Sequence, residues 1–264
     1  MKFFADDLFL PILRERRMST VLEVGARYGD NTAMFLTIPH VDVTVIDPCI
    51  DHDLKSEFEN RIEIKAGLSL DELPKLSKQF DSIFLDGDHN WFTLFNELCL
   101  IEKHMLLRED GIIFLHDVAW PYGRRDMYYQ PEIIPQEYRQ PYAAKGIKKG
   151  TSPLLDKGGF NSGHFNALRE GGPRNGVLTA VQDFIKQSDR EFRLVIDPRQ
   201  FGLGILFRRT EINSLRFERQ LRRQIFHTIH VAPKIQVWRR LVLEAKMSGC
   251  AKFLRGCRRR YFGK

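Results

Sequence analysis

Two segments concentrate the side chains able to do acid–base or metal chemistry. FDSIFLDGDHNW places Asp86, Asp88 and His89 within four positions, and GIIFLHDVAW places His116 beside Asp117. Each group follows a short apolar run. Carboxylates crowded together repel unless a cation or a shared proton compensates. Carboxylate oxygen with imidazole nitrogen suits Mg²⁺ or a transition metal such as Mn²⁺. The same residue types also remove protons from hydroxyl groups. Asp and His after strands commonly cap a helix or orient a loop. A purely structural account of all five residues is harder to sustain when both groups sit at neighbouring strand ends.

Two further segments have the make-up of a nucleotide-type site. VLEVGARYGDNT carries Glu23, Gly25 and Gly29, and VTVIDP ends in Asp47, 22 residues after Gly25. Glycines after a strand let the backbone approach a ligand, and the following helix offers free N–H groups. Arg27 stands where a dinucleotide fingerprint wants its middle glycine, so pyrophosphate binding is disfavoured. Glu23 suits a ligand bearing an ammonium group. Asp47 can accept two hydrogen bonds from ribose hydroxyls; its plainer reading is a turn or capping aspartate before Pro48.

Positioning these residues requires an alternating framework. Strand-like runs recur at Thr20–Val24, Val41–Ile46, Ile62–Lys65, Ser82–Leu85 and Ile112–Leu115. A helix with apolar Leu8, Phe9, Ile12 and Leu13 is expected to lead them. Helical stretches separate them at Asn31–Leu36, Leu54–Glu59, Leu70–Gln79 and Trp91–Leu107. That alternation predicts a doubly wound, mostly parallel α/β sheet. A parallel sheet puts its ligands at the carboxyl ends of its strands. Adjacent strands lie about 4.8 Å apart, so the chemical groups above converge. A helix near Val177–Lys186 and two late strands, Phe192–Ile196 and Gly202–Phe207, predict an antiparallel hairpin at the sheet edge.

With this order and spacing the chain resembles the class I S-adenosylmethionine-dependent methyltransferases over residues 20–117 and 176–207. The resemblance implies a Rossmann-like sheet of seven strands with a terminal antiparallel hairpin. It implies S-adenosylmethionine as cofactor, held by Glu23, Gly25, Gly29 and Asp47. The acidic groups resemble those of metal-assisted O-methyltransferases of the catechol and macrolide-sugar types. That implies a divalent cation, magnesium or another, on Asp86, His116 and Asp117, with His116 replacing a carboxylate. The base follows the first ligand by two or three residues, which means Asp88 or His89. A metal lowers the pKa of a bound hydroxyl, and the base takes its proton as the methyl group transfers.

Residues 118–175 break the rhythm and hold 6 of the 12 prolines and 5 of the 7 tyrosines. They read as an irregular substrate insert or lid. Trp120, Tyr122, Tyr128 and Tyr129 are candidates to stack on a sugar, and Arg124 and Arg125 to bind an anionic group. The competing reading is a loop whose aromatics close its own small core. Six of the 19 glycines fall within residues 158–176, and Asn175 is expected to cap the next helix. WPYGRRDMYY and GGPRNG are similar to segments of methyltransferases that accompany bacterial surface-polysaccharide biosynthesis.

The net charge of +7 conceals a division. Residues 211–264 carry 14 basic and 3 acidic side chains, whereas the first 210 residues hold 27 basic and 31 acidic. The expected organisation is a methyltransferase domain over 1–210 and a basic amphipathic helical tail over 211–264. The tail admits three readings: an anionic membrane surface, a second subunit in a homo-oligomer, or nucleic acid. No apolar run reaches the roughly 18 residues that span a bilayer. The start of the chain lacks a secretory pattern. Cys49, Cys99, Cys250 and Cys257 lack paired metal spacing, so reduced thiols and a cytoplasmic location, including the inner membrane face, are expected.

The leading expectation is an O-methyltransferase acting on a sugar hydroxyl of a glycan or glycosylated small molecule. An RNA methyltransferase is disfavoured by the acidic body. A non-catalytic scaffold of the same fold is disfavoured by the five acidic and histidine residues.

Overall fold

A computed structural model describes residues 1–50, 58 and 60–233. Seven strands form one sheet: β1 (Thr20–Val24), β2 (Asp42–Ile46), β3 (Ile62–Lys65), β4 (Phe80–Leu85), β5 (Leu107–His116), β9 (Phe192–Asp197) and β10 (Leu203–Arg208). Their order is β3-β2-β1-β4-β5-β10-β9. The first five are parallel, and β10 runs antiparallel to both β5 and β9. This is the expected Rossmann-like, seven-stranded, mostly parallel sheet with its terminal antiparallel hairpin.

The sheet interior is apolar on both faces, as helices on both sides require. On one face Phe84 stacks on Phe114 with centroids 4.5 Å apart, and Phe9 and Phe35 lie 5.2 and 4.5 Å from Phe84. Phe9 ends a π-helical turn (Ala5–Phe9) that continues into α1 (Leu10–Glu15), and Phe35 belongs to α2 (Asp30–Phe35). The expected leading helix is thus present, with Leu8, Phe9, Ile12 and Leu13 all buried. Burying each such side chain contributes about 1.5–3 kcal/mol. On the other face Ile83, Leu85 and Ile113 join Leu94 and Leu98 of α4 (Trp91–Lys103) and Ala180, Val181 and Phe184 of α5 (Val177–Gln187).

Three expectations are corrected. The helix expected over Leu70–Gln79 is only one turn, α3 (Ser69–Glu72), followed by a 3-10 turn at Leu73–Lys75. Pro74 lacks the N–H that would continue it. The helix expected to run to Leu107 stops at Lys103, because Leu107 opens β5. The insert is not wholly irregular. It contains a small antiparallel sheet, β6 (Met127–Tyr128), β8 (Phe165–Ala167) and β7 (Tyr142–Ala144), in that order. The helix expected at Leu54–Glu59 and the thiols of Cys250 and Cys257 lie outside the described residues.

The chain divides into two compact units, Met1–Ser214 and Leu215–Lys264. Helix α6 (Glu211–Phe226) leads into the second, followed by a π-helical turn at His227–Val231. Phe217, Leu221 and Ile225, four residues apart, are buried, whereas Arg216, Arg219, Arg222 and Arg223 are exposed. No helix among the described residues is long and apolar enough to cross a membrane.

Candidate active site

Register sets the site. Val24 pairs with both Ile46 and Leu85, and Leu85 pairs with Leu115, so these four residues form one row across the sheet. The residue after each is Gly25, Asp47, Asp86 and His116. Ladder hydrogen bonds continue one step further, from Gly25 N to Ile46 O (2.9 Å) and from Asp86 N to Val24 O (2.9 Å).

Gly25 has φ +85°, and a Cβ there would lie 2.5 Å from Asp86 O and from Gly87 N and Cα. Its lack of a side chain is required by the backbone leaving β4, a reason distinct from the ligand approach expected from sequence. Arg27 also has positive φ (+48°), and Gly29 (φ +77°) precedes α2. Asp47 braces this turn. Its Oδ2 accepts from Arg27 N (2.8 Å) and its Oδ1 from Cys49 N (2.7 Å). The turn role weighed for Asp47 is therefore real, and a carboxylate retains acceptor capacity beyond those two bonds.

Glu23 is fully buried. Thr32 Oγ1 donates to its Oε2 (2.5 Å), while Oε1 has no hydrogen-bond partner among the described residues. Burial pushes its pKa up to about 7, against the lowering effect of Thr32 and Asn31.

The carboxylates and imidazoles converge as the motif spacing implied. His116 Nδ1 lies 3.0 Å from Asp86 Oδ1 and 3.1 Å from Asp117 Oδ2, aligned with neither well enough for a hydrogen bond. His89 Nδ1 lies 3.2 Å from Asp117 Oδ2, and the His89 ring stacks on Tyr122 at 5.7 Å. The Met1 amine donates to Asp86 Oδ2 at 3.1 Å. Burial alone would raise the Asp86 pKa, but His116 and the amine pull it down to about 2. Burial alone would lower that of His116, but Asp86 and Asp117 hold it up at about 9. Asp88 stands apart from the group: its Oδ2 accepts from Thr93 Oγ1 (3.0 Å) in the first turn of α4.

Asp86, His89 and Asp117 each offer a ligand atom, all within 4.8 Å of one another. Two carboxylates and an imidazole fit a divalent transition ion; Mg²⁺, which prefers oxygen donors, is the poorer match. His116, assigned to the metal by motif position, lies against the same two carboxylates.

A cavity of about 420 Å³ joins the glycine turn to this group; Gly25, Arg27, Asp86, His89, His116 and Asp117 line it. Asp47, Glu23 and Asp88 do not. Its remaining wall includes Tyr122, Tyr129, Phe160, Asn161 and His164 of the insert, together with Phe201. Phe160, Asn161, His164 and Phe201 were not singled out from sequence. The signal available for the first three was an aromatic, an amide and an imidazole interleaved with glycines in GGFNSGH.

The insert also corrects several expectations. Arg124 donates to Thr179 Oγ1 (2.9 Å) and Gln182 Oε1 (2.7 Å), and buried Arg125 donates to the carbonyls of Ala167 and Ser152. Neither guanidinium is left for an anion. Tyr128 is buried, its hydroxyl donating to Asp126 Oδ2 (2.8 Å), so it serves the insert's own core. Tyr129 is exposed beside His89 and His164. Asn175 does not cap α5; its Oδ1 accepts from Asp126 N (2.7 Å), and Gly176 precedes the helix.

Residues 22–118 match a family model described as a methyltransferase domain. No curated protein matches the chain. Among solved structures it is similar to the S-adenosylhomocysteine-bound methyltransferase PaMTH1 of Podospora anserina, with 15% identity, 76% of each chain covered and a TM-score of 0.48. The O-methyltransferase TomG of Streptomyces achromogenes, solved with S-adenosylmethionine, is 14% identical over 76% of this chain and 77% of its own, with a TM-score of 0.44. A 1,6-didemethyltoxoflavin-N1-methyltransferase of Burkholderia thailandensis is 17% identical over 76% of each chain, with a TM-score of 0.45.

Proposed function

From the premise that residues 22–118 are a methyltransferase domain within a class I sheet, we propose that the chain transfers a methyl group from S-adenosylmethionine to a sugar hydroxyl of a glycan or glycosylated small molecule. The observation that carries this reading is the single cavity onto which the glycine turn and the Asp86–His89–His116–Asp117 group both open.

The cofactor reading is supported by Glu23. Its orphaned, buried Oε1 lies behind the glycine turn, outside the cavity wall, and is an acceptor that an ammonium group would satisfy once the turn yields to the ligand. Asp47, fixed by two backbone amides, is held ready for ribose hydroxyls. The acceptor side favours oxygen chemistry, because a sugar hydroxyl needs a base. His89 takes that proton in our reading. Asp117 fixes its ring, whereas Asp88 is committed to Thr93. The O–CH₃ bond forms as the S–CH₃ bond breaks, the proton passes to His89, and S-adenosylhomocysteine leaves. Alignment of the two partners carries much of the rate.

Asp86 and Asp117, joined by His116 once a cation displaces the proton that these carboxylates hold on it, would hold a divalent cation, which when bound lowers the pKa of the acceptor hydroxyl and leaves His89 free as the base. The exposed Tyr129 and the lid residues Asn161 and His164 form an amphipathic wall suited to a sugar. The basic tail would place the enzyme at an anionic membrane surface, through charge from residues beyond 226 and the exposed arginines of α6. The apolar stripe of that helix is already buried.

The test is calorimetry with S-adenosylmethionine and NAD, followed by mass-spectrometric detection of methylated saccharides with and without chelator. Binding of NAD alone overturns the cofactor reading. Full turnover in chelator removes the metal. An unchanged rate in His89→Ala removes His89 as the base.

A further inference from the structure

We propose a second, non-catalytic binding site, for an acidic sugar unit of the acceptor glycan, in the groove between α4, α5 and the insert. The choice of ligand rests on the carbohydrate reading above.

The groove is a cavity of about 390 Å³, within the range that holds small ligands. Its floor is an aromatic ladder. Phe95 stacks on Trp91 at 4.6 Å and an interplanar angle of 11°, and Tyr138 follows at 6.1 Å and 14°. Phe95 and Tyr138 are half-buried, so they retain exposed ring surface. Asn96 and Gln187 stand at the rim. Aromatic surface flanked by planar amides matches a pyranose, whose C–H face is apolar and whose edge is hydroxylated.

Arg174 sets the charge. Its guanidinium lies 5.4 Å from the Trp91 ring centroid and 5.1 Å from that of Tyr138, and the side chain is exposed. Among the described residues no carboxylate or carbonyl accepts a hydrogen bond from it, so its forked donors are open to a bidentate acid. The nearby carboxylate is already committed: Asp183 Oδ2 accepts from Trp91 Nε1 (2.9 Å), and Lys186 lies 3.6 Å from Oδ1. Among the described residues that line the groove Arg174 is the one cation, and Lys186 at its edge offsets the Asp183 carboxylate. Arg174 has φ +51°, which a non-glycine residue adopts at a cost. Gln140 holds that turn by donating to the carbonyls of Pro173 and Arg174 (3.1 and 2.9 Å).

The same insert furnishes walls to both sites: Tyr138 and Arg174 here, and Asn161 and His164 over the catalytic cavity. Trp91 follows His89 by two residues. A glycan chain spanning both sites would have one unit methylated while another is gripped.

The test is calorimetric titration of the full chain with tetragalacturonate and with maltotetraose. Tetragalacturonate is expected to bind at least tenfold more tightly than the neutral probe. Arg174→Gln and Tyr138→Ala should each weaken it at least tenfold and leave S-adenosylmethionine affinity unchanged. Equal binding of both probes, or wild-type affinity in both variants, overturns the site. A change of oligomeric state in Arg174→Gln, read by sedimentation, makes the groove a subunit contact and also overturns it. The two readings fail separately. Methylation of long and short sugars at wild-type rates in both variants removes the groove alone. Arg174-dependent binding in an enzyme that methylates no saccharide removes the sugar acceptor and leaves the groove.

Discussion

Replacing Gly25 by alanine tests whether the site is assembled by backbone contact between β1 and β4. At Gly25 the new Cβ would meet Asp86 O, Gly87 Cα and Gly87 N, all at 2.5 Å. These are backbone atoms, so no side chain can swing aside. The φ of +85° adds strain of about 1–2 kcal/mol. Forcing apart a packed backbone adds about 1–3 kcal/mol. The expected loss is therefore roughly 2–5 kcal/mol, with the melting temperature falling by about 2–4 °C for each kcal/mol. Gly87→Ala is the control, because its Cβ would meet Val24 Cγ1 at 3.4 Å and Gly25 Cα and N at 3.8 Å, all ordinary contacts. Thermal unfolding followed by circular dichroism, with cofactor calorimetry on the surviving fold, reads both. Gly25→Ala should melt well below Gly87→Ala and bind cofactor poorly, since moving Gly87 moves Asp86. Equal melting temperatures for the two variants would refute the backbone-contact argument.

Three other outcomes follow from buried charge. Because Glu23 is raised to about 7, its protonated form favours the fold, so wild-type stability should fall as pH rises from about 4.5 to 7. Buried Glu97 and Asp126, also raised, add to that slope, so Glu23→Gln should reduce it without abolishing it and be more stable at pH 8 by on the order of 3 kcal/mol, measured by urea unfolding at several pH values. Asp126→Asn should lower stability by about 1–3 kcal/mol in the same assay, because an amide N–H₂ would face the Tyr128 hydroxyl that now donates to the carboxylate. Asp117 has φ +58°, which asparagine tolerates, so Asp117→Asn should keep the backbone. It should lower methyl transfer more than about a hundredfold, with cofactor affinity nearly intact by calorimetry.

What was legible in the sequence follows periodicity. β1 is a nearly continuous apolar run and edge strand β3 alternates apolar with charged residues, and both are read to the residue. β5 starts five residues earlier than read, because residues 108–110 near its start are exposed and polar. Less was legible where interior contacts decide. Pro74 ends a helix that the apolar spacing continues. Arg124 and Arg125 look available for an anion, yet partners 27 to 58 residues away claim them. The acidic and histidine group was visible because its members end neighbouring strands. The insert's share of the cavity was not, because Phe160, Asn161 and His164 are placed by loop closure, which leaves no repeating pattern.

Buried Asp126 receives hydrogen bonds from Trp91 N (2.7 Å), Gly176 N (2.6 Å) and the Tyr128 hydroxyl (2.8 Å). It thereby pins the starts of α4 and α5 to the insert. Exchange of acceptor preference between related enzymes by loop grafting meets this pin. A graft cut between Asp126 and Gly176 divides the donors of one carboxylate between two parents. The transferable cassette runs from Asp126 through Gly176, and it must land on a host whose α4 offers the Trp91 amide in register.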